Sequence, residues 1–236
     1  MPKRSFGWIP DLPDNRDEPY LLTASGLRAA GVGAPEASDL RPDMPPIWDQ
    51  LNIGSCCGFA GAAAHWHRQR VQERKCFDPS PLFIYFNARR LAGNEKWDVG
   101  STIRDTMKAL GRWGTCPEQH WPYVPSKFKN TPTKPAYREA AKSQSKIYRR
   151  IDRDIDAMRL CLSDNRPIVL GFTVYESFMT ADVEANGYVP MPQLSEKAIG
   201  GHAVVMCGHI DAEGVFICRN QWGTDWGDKG CFYLPY

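Results

Sequence analysis

The sequence predicts an α+β fold in two lobes, one mainly helical and one rich in β-strand, and three observations carry that prediction. The first half holds runs of helical composition behind capping residues, and the second half holds β-branched and aromatic runs closed by glycine turns. Between them, CPEQHWPYVPSKFKNTPTKP, Cys116 to Pro135, is too rich in proline for regular structure and marks the crossing. With 236 residues and 42% hydrophobic content, the chain is long enough to bury a core without covalent staples. The expected organisation is an N-terminal arm over residues 1–38 and a domain over 39–236, helical over 39–125 and β-rich over 126–236.

The elements follow in order. Residues 1–38 are rich in Pro, Gly and Asp and show no periodicity, which predicts an extended arm outside the core with a short helical piece at most. GFAGAAAHWHRQRVQER, from Gly58, is preceded by Ser55 at an N-cap position, so a helix starts at Ser55 or Cys56. SPLFIYFNARRLA from Ser80 and STIRDTMKALGRWG from Ser101 to Gly114 predict two more helices. Beyond the crossing, DRDIDAMRLCLSD from Asp152 reads as a polar helix, and PIVLGFTVY, Pro167 to Tyr175, as a buried strand. HAVVMCGHI and VFICRNQWG flank the turn Asp211 to Gly214 and predict a hairpin, with His202 at the start of its first strand.

Lys plus Arg number 29 against 27 for Asp plus Glu, and the net charge of +2 creates no field that would recruit nucleic acid or anionic membrane. The opening MPKRSFGWIPDLPDNRDEPY places prolines and acids where a secretory signal needs an apolar stretch, and no later run approaches bilayer length. A soluble protein, cytoplasmic by default, is expected, with signal-independent export left open. In a reducing compartment six of the eight cysteines, Cys76, Cys116, Cys161, Cys207, Cys218 and Cys231, would serve as small apolar residues; export would allow some pairs to oxidise.

Cys56 opens the first predicted helix within QLNIGSCCGFA. A free thiol has a pKa of about 8.5, and a helix N-terminus stabilises a thiolate by only about 0.3–2 kcal/mol. Thiolate–imidazolium pairs reach a pKa of about 3–4, so a nearby His must supply most of the shift. His202 follows two glycines at a predicted strand start, and Asn220 lies 18 residues later (220 minus 202) on the opposite arm of the hairpin. An amide oxygen there accepts the imidazole N–H and fixes its tautomer. Trp222 follows and could cover that bond from water.

These residues resemble the papain-like cysteine peptidases. Gln50 and Gly54-Ser55-Cys56 match the family's opening motif, His202 lies in a Gly-His-Ala-Val segment 146 residues after Cys56, and Asn220-Gln221-Trp222-Gly223 resembles its Asn-Ser-Trp-Gly block. The resemblance covers residue 39 to the C-terminus and implies a two-lobed papain-like fold with a cleft between a helical lobe and a barrel-like β lobe. It implies a thioester mechanism in which Cys56 attacks, His202 donates a proton to the leaving amine, Asn220 orients His202, and Gln50 with the Cys56 N–H binds the oxyanion. Gly100, Gly201 and Trp222 would line the substrate site, with Val99 departing from the family's paired glycines. Cys57 stands where papain has Trp, Gln221 replaces Ser, and Ile53 replaces a disulfide cysteine. The opening GWIPDLPDNRD is similar to short leaders of bacterial members, which implies that residues 1–38 lie in or near the cleft as a built-in inhibitor of a zymogen; an ordinary packed tail is the alternative.

Cys57 is the rival nucleophile, but adjacent helical residues point about 100° apart and only one can face the His. His65 and His67 could be taken as zinc ligands, yet i and i+2 do not share a helix face. The reading therefore needs no metal or organic cofactor. The expected partner of this monomer is a peptide or protein substrate, with hydrolysis as the reaction. A papain-fold acyltransferase or transamidase, differing only in the second nucleophile, and a catalytically silent binding module are the alternatives.

Overall fold

The computed structural model describes residues 4–20, 33–72 and 76–236. The chain forms β1 (Ala37–Asp39), α1 (Cys56–Val71), α2 (Pro81–Leu91), α3 (Ile103–Arg112), α4 (Lys134–Ala140), α5 (Ile155–Ser163), β2 (Ile168–Tyr175), α6 (Ala181–Asn186), β3 (Ala198–Ile210), β4 (Val215–Arg219) and β5 (Cys231–Pro235). The papain-like mixture of helices and antiparallel sheet expected from the sequence is present.

Helix starts follow the capping chemistry, with two adjustments. Ser80 Oγ accepts from Phe83 N–H ahead of α2, whereas α3 is capped by Thr102, accepting from Asp105 N–H, rather than by Ser101. Ser55 occupies the N-cap position of α1 but makes no side-chain cap; its hydroxyl bonds Tyr123 Oη instead, at 2.7 Å. Helix α1 is lined with small residues because its neighbours come close: a Cβ on Gly58 would sit 2.7 Å from the Pro81 carbonyl oxygen.

Strand β3 is the centre of the sheet. It pairs antiparallel with β2 along Ala198–Met206 and with β1 along Gly208–Ile210 on one side, and with β4 on the other, while β5 closes the edge of β4. The turn over Asp211–Glu213 ends at Gly214 in the left-handed region, as the hairpin required. His202 does not begin the strand: β3 starts at Ala198, and Gly200 and Gly201 lie within it, opposite Val174 and Thr173.

One buried cluster joins the start of α1 (Cys56, Cys57, Ala60, Ala63) to β3, β4 and the aromatic residues Phe178, Trp222, Trp226 and Phe232. Contrary to the expectation that the arm lies outside the core, Phe6 and Trp8 pack against this cluster. β1 straddles the boundary expected at residue 38. Residues 4–20 form no helix and turn at Asp14–Asp17, and a helical piece anywhere in 21–32 lies outside the described residues.

None of the eight cysteines is in a disulfide. Burial pushes the Cys116 and Cys161 thiols up to about 12 and Cys231 to about 11, so they remain protonated apolar packing. Both ring nitrogens of His65 face serine hydroxyls, Ser145 and Ser143, at 2.8 Å. No described helix is long and apolar enough to cross a membrane.

Candidate active site

Cys56 is the first residue of α1, where the unpaired N–H groups of the first turn favour an anion. The approach is held by Asp98, whose carboxylate accepts from Gly54 N–H at 3.0 Å and from Tyr85 Oη at 2.5 Å. Burial of the Cys56 thiol opposes ionisation. The neighbouring Cys57 thiol, the His202 imidazole with its charge and the Ala203 N–H outweigh it and hold the thiol well below its ordinary range. Cys57 goes the other way. Burial raises it, the neighbouring Cys56 raises it further, and its Sγ lies 3.1 Å from the Ser101 carbonyl oxygen, which keeps it a neutral thiol. Two adjacent sulfurs thus titrate in opposite directions.

His202 is fully buried in β3 opposite Phe172. Its Nε2 is 2.9 Å from Asn220 Oδ1, one residue past the end of β4. Gln221 N–H also donates to Asn220 Oδ1, at 2.9 Å, so that atom is the amide oxygen and the Nε2 of His202 must carry the hydrogen between them. This leaves Nδ1, buried and without a hydrogen bond, as the ring nitrogen available to Cys56. The ring is enclosed by Trp222 at 4.9 Å, Phe172 at 5.9 Å and Phe6 of the arm at 6.1 Å between centroids. Trp222 therefore covers the His202–Asn220 bond, which strengthens it by excluding water.

Gln50 is fully buried beside this group. Tyr123 Oη donates to its backbone oxygen at 2.6 Å, and its own N–H donates to the Gln221 carbonyl at 2.9 Å. Its side-chain Nε2 donates to the Ile53 carbonyl at 3.1 Å and to the Ser5 carbonyl of the arm at 3.0 Å. Cys56, His202, Asn220 and Gln50 thus converge, and an extended segment of the same chain lies over them.

That segment also touches the glycines singled out in the sequence. Trp8 N–H donates to Gly201 O at 2.9 Å, Ser101 N–H to Gly7 O at 2.8 Å, and Ile9 N–H to Ser101 O at 3.1 Å. Gly100 has φ +81°, and a Cβ there would overlap the Gly7 carbonyl, so both its conformation and its lack of side chain let the arm in. A Cβ on Gly171 would overlap the Trp8 indole. Sequence reasoning named Gly100, Gly201 and Trp222 here. It missed Ser101, which makes two backbone bonds to the arm, and Gly171, Asp98, Tyr123 and the side-chain role of Gln221. A glycine inside the β-branched run IVLGFTVY was the one available signal for Gly171.

A sequence profile described as papain family cysteine protease matches residues 34–235. A peptidase C1-like protein of Acanthamoeba polyphaga mimivirus is 37% identical over 99% of this chain and 82% of its own length. A cathepsin B-like protein of Giardia intestinalis is 29% identical over the same shares. Among solved structures, xylellain, a cysteine protease from Xylella fastidiosa, superposes with a TM-score of 0.91 at 34% identity, covering 99% of this chain and 90% of that one.

Proposed function

The chain belongs to the papain family of cysteine proteases, and from that premise we propose that Cys56, His202, Asn220 and Gln50 are its catalytic residues and that the arm, through residues 4–20, holds it inactive. It is a cysteine peptidase acting on peptide substrates. In this reading Cys56 attacks the scissile carbonyl as a thiolate, and the carbonyl oxygen moves onto Gln50 Nε2 and the Cys56 N–H. His202 Nδ1 then gives its proton to the leaving amine, and water hydrolyses the thioester with the same imidazole as base. The observation that carries the assignment is the bond from His202 Nε2 to Asn220 Oδ1, which commits one ring nitrogen to orientation and reserves the other for the thiol.

Autoinhibition is supported by the Ser5 carbonyl, which occupies the Gln50 amide that an oxyanion would need. Trp8 and Gly7 take up the backbone groups of Gly201 and Ser101 as well.

The nucleophile is tested by labelling the full chain with iodoacetamide and mapping the modified residue. Cys56→Ala is expected to abolish the fast reaction while Cys57→Ala retains it, and the rate should persist down to about pH 5 because the paired thiolate titrates far below a free thiol. Loss of labelling only in Cys57→Ala would reassign the nucleophile, and a rate following a pKa near 8.5 would remove the ion pair.

A further inference from the structure

We propose that Gln221 is a positioning residue that fixes which end of the Gln50 amide faces the reacting carbonyl; the inference rests on the oxyanion role given to Gln50 above. Gln221 is buried, 1% exposed, and its Nε2 lies 2.7 Å from Ala203 O and 3.1 Å from Gln50 Oε1. A backbone carbonyl can only accept, so the Gln221 atom facing Ala203 is the nitrogen and the amide has one possible sense. Its second hydrogen points at Gln50, whose facing atom must then be oxygen. That turns Gln50 Nε2 toward Ser5 O and Ile53 O. Reversing Gln50 would set oxygen against two carbonyl oxygens and nitrogen against nitrogen, leaving buried polar groups unpaired.

The order Ala203 to Gln221 to Gln50 is therefore directional, and it ends with an N–H aimed at the site. The backbone reinforces it, since Gln221 O accepts Gln50 N–H at 2.9 Å. Both hydrogens of the Gln221 amide are committed, and the ring N–H of His202 goes to Asn220, so the 3.3 Å approach of Gln221 Nε2 to His202 Nε2 is a contact without a hydrogen bond. Gln221 accordingly acts through Gln50 and leaves the thiol–imidazole pair alone. A serine here, as the family resemblance would have it, carries a rotatable hydroxyl that donates or accepts equally and imposes no sense on Gln50.

The test uses the full chain and two rates: kcat/KM on a peptide amide, which develops an oxyanion, and alkylation of Cys56 by iodoacetamide, which does not. Both scale with the fraction of molecules whose arm is open, so their ratio cancels the arm. Gln221→Leu and Gln221→Met are each expected to lower the ratio about 10-fold or more, with the pH profile of alkylation unchanged, and Gln50→Ala to lower it about 100-fold. Adding Gln221→Leu to Gln50→Ala should cost less than about 2-fold further, because the two act as a unit. A ratio unchanged in both Gln221 variants, losses that multiply in the double variant, or a shifted alkylation profile would overturn the inference while leaving Gln50 in place. An unchanged ratio in Gln50→Ala would instead remove the oxyanion reading, and this inference with it.

Discussion

The two halves of the arm are held by different physics. From Arg4 to Ile9 it is bound by shape and backbone: four hydrogen bonds to Gln50, Gly201 and Ser101, the Phe6 ring against His202 and Trp222, and the Trp8 indole on the bare backbone of Gly171. Its one ion pair, Arg4 to Asp49 at 2.6 Å, is shared with a bond to Trp222 O. From Asp11 to Tyr20 the arm is bound mainly by charge. Arg104 reaches Asp17 with two hydrogen bonds of 2.9 and 2.6 Å and lies 3.6 Å from Asp11, whose carboxylate also accepts Arg104 N–H at 3.2 Å, and bonds between Glu18, Tyr20 and Arg150 add backbone. In the proposed reading the inner segment covers the catalytic residues, and the outer segment sets how firmly that cover is fastened.

The largest effect should come from removing shape. Trp8→Ala deletes a partly buried indole, worth about 2 kcal/mol against the ~3–5 kcal/mol of a fully buried aromatic, and should raise the initial rate on a small fluorogenic peptide about 30-fold. An unchanged rate would make the inner segment packing without inhibition. Arg104→Ala removes charge-assisted bonds near the surface and should raise the same rate about 10-fold, with a smaller effect at high salt. An equal effect at low and high salt would erase the distinction between the two segments.

The smallest and most specific effect is in pH. Hydrogen bonds from Arg104 hold Asp17 below the ordinary carboxylate range while the arm is docked. A depressed docked pKa adds to docking above the free value, about 3.9, and that contribution is lost as pH falls through the docked value. The ratio of alkylation rates, Arg104→Ala over parent, should therefore be flat from pH 8 to about pH 5 and move toward one below about pH 4. A ratio that already falls between pH 7 and 6 would point to a different group.

The comparison also separates what could be read from the sequence. The fold class, the helix bearing Cys56 and the hairpin bearing His202 and Asn220 were legible because each depends on local signals: a cap, a periodicity, a turn, an interval between motifs. The start of β3 was misread because Gly200 and Gly201 look like a strand boundary. In the structure they are strand residues kept bare so that Phe6 and Trp8 can lie on them. Gln221 was visible only as a departure from a pattern. Its bonds to Gln50 and Ala203 span 171 and 18 residues, and no local rule reaches that far. Ser101 was read as a helix start, since the backbone groups that bind the arm leave no mark on side-chain identity.

The arm's other end has a consequence of its own. Strand β1 anchors the chain in the sheet, with Ala37 opposite Ile210 and Asp39 opposite Gly208, so an undocked arm stays attached to the body it left. A tethered ligand competes at an effective concentration in the millimolar range for short flexible connections, whatever the protein concentration. Dilution would then never activate the enzyme, and a soluble substrate would have to outcompete a neighbour that cannot diffuse away. On the autoinhibitory reading, a cut between the arm and β1 would convert this first-order equilibrium into a second-order one, and the arm could then be lost to bulk.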